Sequence, residues 1–215
     1  MEKIRRYLIL LAGLFVSAVG VVLVTKGNLG TSCISSVPYV LSLIFPMSMG
    51  VFTILFSLLL IVLQLIILGK DFKLEHALQI PVSILFGWFI DLVMPLFAFL
   101  APQSYWQKLL VVVLGCVVVG ISVYLQVIAD VVMLPGESFV RSVVKRWGTE
   151  FGTTKIVFDV SISVLAAVIS LIFTGKLMGV REGTVIASIL VGFIARWLKK
   201  NCFAISDFLL KSSSK

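Results

Sequence analysis

Apolar residues in this chain run in blocks of about twenty, and the short stretches between them collect most of the charges. A bilayer core of about 30 Å takes roughly 20 apolar residues in helical form. Six windows fit: 7–25, 49–68, 76–94, 108–127, 153–173 and 183–198. The pattern predicts an all-α polytopic membrane protein with six transmembrane helices. Lys3, Arg5 and Arg6 ahead of the first window resemble a signal peptide, but no small-residue cleavage site follows, so that window is expected to be a retained span.

Two further segments have a helical pattern but are too short to span. Residues 31–45 follow Gly27-Asn28-Leu29-Gly30, contain Pro38 and end at Pro46. Fifteen residues make a helix of only about 22 Å. Residues 138–147 follow Pro135-Gly136-Glu137 and precede Gly148. Both begin with glycine and hydroxyl residues, which is helix-start chemistry. Two readings are open: helices lying in the membrane interface, or half-helices whose starts dip toward the middle. Irregular backbone at that depth is tolerated where protein buries it or a cavity is lined.

The two halves of the chain resemble each other. Ser83-Ile84-Leu85-Phe86-Gly87 matches Ser188-Ile189-Leu190-Val191-Gly192 at a spacing of 105. Gly69-Lys70 matches Gly175-Lys176 at 106, and Gly13, Gly50 and Phe56 match Gly115, Gly152 and Phe158 at 102. This ordered series predicts a three-helix repeat over 1–100 with its short helix at 31–45. A second repeat is expected over 101–200 with its short helix at 138–147, then an amphipathic cytoplasmic tail over 201–215. An odd number of spans per half inverts the second half, the arrangement many secondary transporters use for alternating access. The starts of the two short helices would then converge near the midplane.

Composition agrees with the pattern. The chain is 60% apolar and 13% charged, against about 25% charge in soluble domains, so one aqueous core cannot hide its apolar surface. Its net charge of +8 lies mostly at the ends of apolar runs, where topology and headgroups account for it and nucleic acid is not implied. With the N-terminus in the cytoplasm, inside segments hold Lys3, Arg5, Arg6, Lys70, Lys73, Arg141, Lys145, Arg146, Lys199, Lys200, Lys211 and Lys215. Outside segments hold Lys26, Lys176 and Arg181. Both termini are therefore expected on the cytoplasmic side of a bacterial inner membrane. Cys33, Cys116 and Cys202 form no disulfide or metal framework, and His76 is expected at an interface. No phosphate loop, ligand cluster or elbow serine occurs; neither an enzyme nor a cofactor is expected.

Candidate site residues follow from cost. An ionisable side chain at the centre of a span costs about 2.5–3.5 kcal/mol on insertion scales. Asp159 stands two turns into the fifth window with Lys155 four residues before it on the same face. The pair reads either as an intrahelical ion pair or as a coupling carboxylate held ionised. Glu137 at the start of the second short helix complements the helix dipole, whereas its repeat mate offers Thr31 and Ser32 with no acid. One open helix start (Gly30, Thr31, Ser32, Ser35) and one carboxylate-bearing start (Gly136, Glu137, Ser138) would suit a small zwitterion. Arg181 and Glu182 read as an interfacial pair or a gate. Asp91 and Arg196 are accounted for by orientation and solvation, and Gln64, Gln79 and Gln126 as helix-bridging amides. Gly13, Gly20, Gly87 and Gly192 are expected at close helix approaches.

Residues 30–42 (Gly-Thr-Ser-Cys-Ile-Ser-Ser-Val-Pro-Tyr-Val-Leu-Ser) resemble the first-half signature of the YitT/YczE-type bacterial membrane proteins. Leu134-Pro135-Gly136-Glu137, Lys155-Ile156-Val157-Phe158-Asp159 and Gly179-Val180-Arg181-Glu182-Gly183-Thr184 resemble second-half signatures, and Cys33 stands where those relatives often carry proline. The resemblance implies a small integral membrane protein of the kind labelled transporter or permease, and it supplies no substrate. The expected function is a permease for a small polar or zwitterionic metabolite. The alternatives are a ligand-binding or accessory subunit of a larger complex, or a scaffold for membrane biosynthesis. The bilayer is the expected partner, and a homodimer suits so small a bundle.

Overall fold

Inside lipid a backbone must satisfy its own polar groups, and a helix does so within one segment. The apolar blocks accordingly fold as helices in the computed structural model, which describes residues 2–72 and 74–201; among these no strand occurs. In order they are α1 (Glu2–Lys26), α2 (Cys33–Ile44), α3 (Met49–Leu68), the single-turn α4 (Leu74–Ala77) and α5 (Gln79–Leu96). Then come α6 (Tyr105–Ala129), α7 (Pro135–Trp147), α8 (Phe151–Thr174) and α9 (Glu182–Asn201). Local signals set many of the ends. Ser48 caps α3 by accepting from Val51 N, and Ser104 and Gln107 form a capping box on α6. Gly148 and Gly175 terminate α7 and α8 in the left-handed conformation.

Five helices, α1, α3, α5, α6 and α8, are long and apolar enough to cross a bilayer. The chain is a multi-pass membrane protein. The sixth expected span corresponds to α9, which is 20 residues long but carries Glu182, Arg196 and Lys200 and is the least apolar of the set. The second short helix begins at Pro135, three residues before the expected start. Proline at the first helical position has its φ already set and needs no hydrogen-bond partner for an N–H. The expected amphipathic tail beyond Asn201 lies outside the described residues.

The most buried helix is α1, which packs along α6 and also against α5. Glycine permits the closeness of the first contact. A Cβ on Gly20 would come 2.5 Å from Val119 Cγ2 and 2.8 Å from Val119 N, and one on Gly115 2.8 Å from Val24 N. The antiparallel α1–α6 pair is thus as tight as the two backbones allow. Phe15 meets Phe89 edge to face across α1 and α5, ring centroids 5.4 Å apart. Around this centre α3 packs on α5, α9 on α6, α2 on α8 and α3, and α7 on α3 and α8. The outward faces are apolar, with Ile66, Ile172, Phe193 and all four tryptophans exposed, as a lipid-facing surface requires. One end of the bundle (here proximal) holds the starts of α1, α5 and α8. The other, distal, end holds the starts of α3, α6 and α9.

Candidate functional site

After α1 the chain must turn back on itself within six residues. Gly30 does this at φ +115, a conformation essentially restricted to glycine, and the Thr25 and Thr31 hydroxyls hydrogen-bond across the turn at 3.1 Å. α2 then starts beside the middle of α8, the Cys33 side chain lying near Ser163, Asp159 and Lys155. It ends at the distal end, Phe45 lying 5.8 Å from the Phe173 ring. α7 covers the other half. Its Phe139 packs 5.2 Å from the Phe158 ring, and Lys145 reaches Asp71 at the proximal end, 3.5 Å away. The two starts meet between these arms: a Cβ on Gly136 would lie 2.8 Å from Ile34 Cδ1.

Beside that meeting point is the Lys155–Asp159 pair, Nζ donating to Oδ1 at 2.5 Å. It occupies the inward face of α8, which also carries Ile162, Ala166 and Ser170. The two side chains are partly buried there, 25% and 18% exposed. Ser163 donates back to the Asp159 carbonyl at 2.8 Å. The start of α2 is chemically unfinished. Ser32 has the extended N-cap conformation, yet its hydroxyl donates to Ser35 Oγ at 2.9 Å and caps no backbone N–H. With no acid in the first turn, those N–H groups keep their partial positive charge. Pro38 has no N–H, so the Ile34 carbonyl lacks its usual partner four residues on.

The expected site residues therefore divide. Lys155 and Asp159 pair on α8 with Ser163 beside them and Cys33, at the start of α2, nearby, while Ser32 and Ser35 bond each other at that start and Gly136 lies against Ile34. Gly30 and Thr31 are buried one turn away, against the start of α9, where Gly183 N donates to Leu29 O at 2.7 Å. Arg181 and Glu182 are exposed at that same distal contact. Glu137 is half-buried and makes no ion pair among the described residues.

Ser138 faces elsewhere, into a buried amide cluster. Gln64 Nε2 donates to Gln79 Oε1 and to Pro135 O, both at 3.2 Å. Gln79 Nε2 donates to Ser138 Oγ at 2.8 Å, and Ser138 Oγ donates to Gln64 Oε1 at 2.9 Å. This cluster fastens the start of α7 to α3 and α5. Gln64 and Gln79 do bridge helices, but Gln126 does not: its Nε2 is buried without a partner, as is Thr184 Oγ1, among the described residues. Asp91 departs from the sequence reading, since it accepts from Ser48 Oγ and from Gly50 N at 2.8 Å and so closes the start of α3 from α5. Ser163 had a legible signal, lying four residues after Asp159 on the same face; nothing in the local pattern linked Cys33 to that face. Among the described residues no three His, Cys, Asp or Glu side chains group as metal ligands.

The chain belongs to a family of unknown function (DUF6198), matched over residues 4–200, which takes in nearly all of α1 to α9. No curated protein and no solved structure matches it.

Proposed function

We propose that this DUF6198 member is a small carrier of the bacterial cytoplasmic membrane, both termini inside, that binds a small polar or zwitterionic metabolite between the starts of α2 and α7. One observation carries the reading: the two short-helix starts meet beside Lys155–Asp159 on the inward face of α8. The uncapped N–H groups of α2 and the Lys155 ammonium suit a ligand carboxylate, while Asp159 and the Ile34 carbonyl, which has no N–H four residues on, suit an ammonium. Half-helix starts that hold a ligand at mid-membrane are a recurrent device of secondary transporters.

The pairing of elements supports an inverted repeat. α1 pairs with α6, its own mate. The α1–α5 contact has its counterpart in α6–α9, α2–α8 in α7–α3, and α2–α3 in α7–α8. Resemblance to YitT/YczE-type proteins belongs to the same reading, as does α9 as a sixth span. In this carrier Asp159 is the coupling carboxylate, Glu137 a second acid on the path, and Arg181 with Glu182 the distal gate.

A thermal-shift screen of purified protein against amino acids and small organic ions tests the site. A ligand at 100 times its Kd stabilises by about 2.7 kcal/mol, a shift of roughly 5–10 °C for a chain of this size. Asp159→Asn and Lys155→Met should each abolish the shift while remaining folded. Hits that survive both substitutions would sink the site, and a blank across the panel on folded protein would favour the accessory-subunit reading.

A further inference from the structure

The two halves of the chain pair alike at each major helix contact except one. α3 packs along α5, whereas α8 and α9, their repeat mates, do not pack along one another among the described residues. In the first half the seam is closed by glycines and a polar lock. A Cβ on Gly87 would sit 2.6 Å from Gly50 O, so the two backbones touch. Asp91 accepts from Gly50 N and from the Ser48 hydroxyl across the same seam.

The mates of Ser48, Gly50, Gly87 and Asp91, at spacings of 102, 102, 105 and 105, are Glu150, Gly152, Gly192 and Arg196. Glu150 does for α8 what Ser48 does for α3, accepting from Gly152 N and Thr153 N at the helix start. Yet among the described residues a Cβ on Gly192 would meet only Arg196 Nη2, at 3.9 Å, and one on Gly152 only the Glu150 carboxylate. Arg196 is exposed and has no ion pair among the described residues. The second half thus carries every part of the lock, its polar partners now a carboxylate and a guanidinium, and the parts stand apart. Glycine inside a helix is unfavourable relative to alanine, and the described state gives Gly192 no neighbour that requires it.

Building on the carrier reading and its inverted repeat, we infer that the α8–α9 seam closes in a second conformation. There Gly152 and Gly192 pack as Gly50 and Gly87 do, and Glu150 pairs with Arg196. The Glu150 carboxylate retains acceptor capacity for this: Oε1 takes only the Gly152 N–H, and a carboxylate oxygen accepts more than one bond. In the described state the α3–α5 seam is shut at the distal end while α8–α9 is apart at the proximal end. Asp159 lies nine residues along α8 from Glu150, about 13 Å of helix, so closing this seam ends access to the binding pair from the proximal side.

Cysteine cross-linking in proteoliposomes tests this without a substrate. With the three native cysteines replaced by serine, Glu150→Cys/Arg196→Cys is treated with a short bismaleimide, and Asp71→Cys/Lys145→Cys, side chains in contact at 3.5 Å, serves as control. Both pairs should link within one chain, because a covalent trap collects even a minor state. Adding Gly192→Leu, which the described state accommodates, should cut the 150–196 link about tenfold by overpacking the closed seam and leave the control unchanged. If Glu150→Cys impairs folding, Thr149→Cys/Arg196→Cys keeps the cap and carries the same expectation. No link beside a working control would overturn the inference, as would a link only between two chains or one indifferent to Gly192→Leu. Ligand shifts and their loss in Asp159→Asn report separately on the binding site, so either reading can fail alone.

Discussion

Gln64 is fully buried in α3, and its amide makes four hydrogen bonds: two to Gln79, one to Ser138 and one to the Pro135 carbonyl. Gln64→Leu keeps nearly the same volume and removes all four. Interhelical hydrogen bonds in membrane proteins average about 0.6 kcal/mol, so the bonds alone sum to roughly 2.4 kcal/mol. Gln79 Oε1 also loses its only donor among the described residues, and an orphaned buried acceptor costs about 1–3 kcal/mol where no rearrangement rescues it. The two figures count overlapping physics, and the expected loss is about 2–3 kcal/mol. Tryptophan-fluorescence thermal unfolding in one detergent should register this as a drop of roughly 5–10 °C. Gln79→Leu should cost a similar amount, and the double variant should cost less than the sum by at least about 1 kcal/mol, since it leaves no orphaned amide. Strict additivity, or a Gln64→Leu protein within about 0.5 kcal/mol of wild type, would refute the network and leave the start of α7 held by its apolar contacts.

Gly20→Ala should destabilise by about 1–3 kcal/mol in the same assay because its Cβ has no room at the α1–α6 contact, whereas Gly192→Ala should be neutral or slightly stabilising. Gly148→Ala, at φ +67 with open space around it, should cost about 1–2 kcal/mol from backbone strain alone. Gly30→Ala should cost distinctly more, since its Cβ also strikes Thr184 and the α9 backbone. The Glu150 carboxyl is held below its ordinary value by hydrogen bonds from the Thr153 hydroxyl first, then from Thr153 N and Gly152 N. A lowered folded value means the stabilisation is present above the unfolded value of 4.5 and is lost as pH falls through the folded one. The Tm gap between wild type and Glu150→Gln should therefore stay constant near neutrality and shrink in acid below that point; a gap that persists there would contradict the capping role.

Much of the architecture was legible because its causes are short-range. Block length and apolarity predicted α1, α3, α5, α6 and α8, and the start of α3 at Met49 falls where the apolar block begins behind a serine cap. The two short helices were legible as helices too broken by Pro38, Pro135 and Gly148 to span. The candidate site was legible in part. Lys155 and Asp159 share a face by helical spacing alone, and the lack of an acid near Ser32 marked an open helix start. Ser138 was misassigned because its side chain and that of Glu137 leave the helix about 100° apart, and local pattern says nothing of which neighbour each meets.

The sequence by itself determined that this is a bundle of membrane helices, roughly where most of them lie, and which residues carry charge into it. These follow from hydrogen bonding, capping and apolar burial within a few residues along the chain. Only the tertiary structure decided which polar groups meet. Gln64 finds Pro135, 71 residues away, the start of α2 arrives beside Asp159, and the α3–α5 seam is shut while its repeat mate stands open. Such meetings depend on how closely whole helices approach, and that distance is set by glycines such as Gly20 and Gly50 only once a partner backbone lies opposite them.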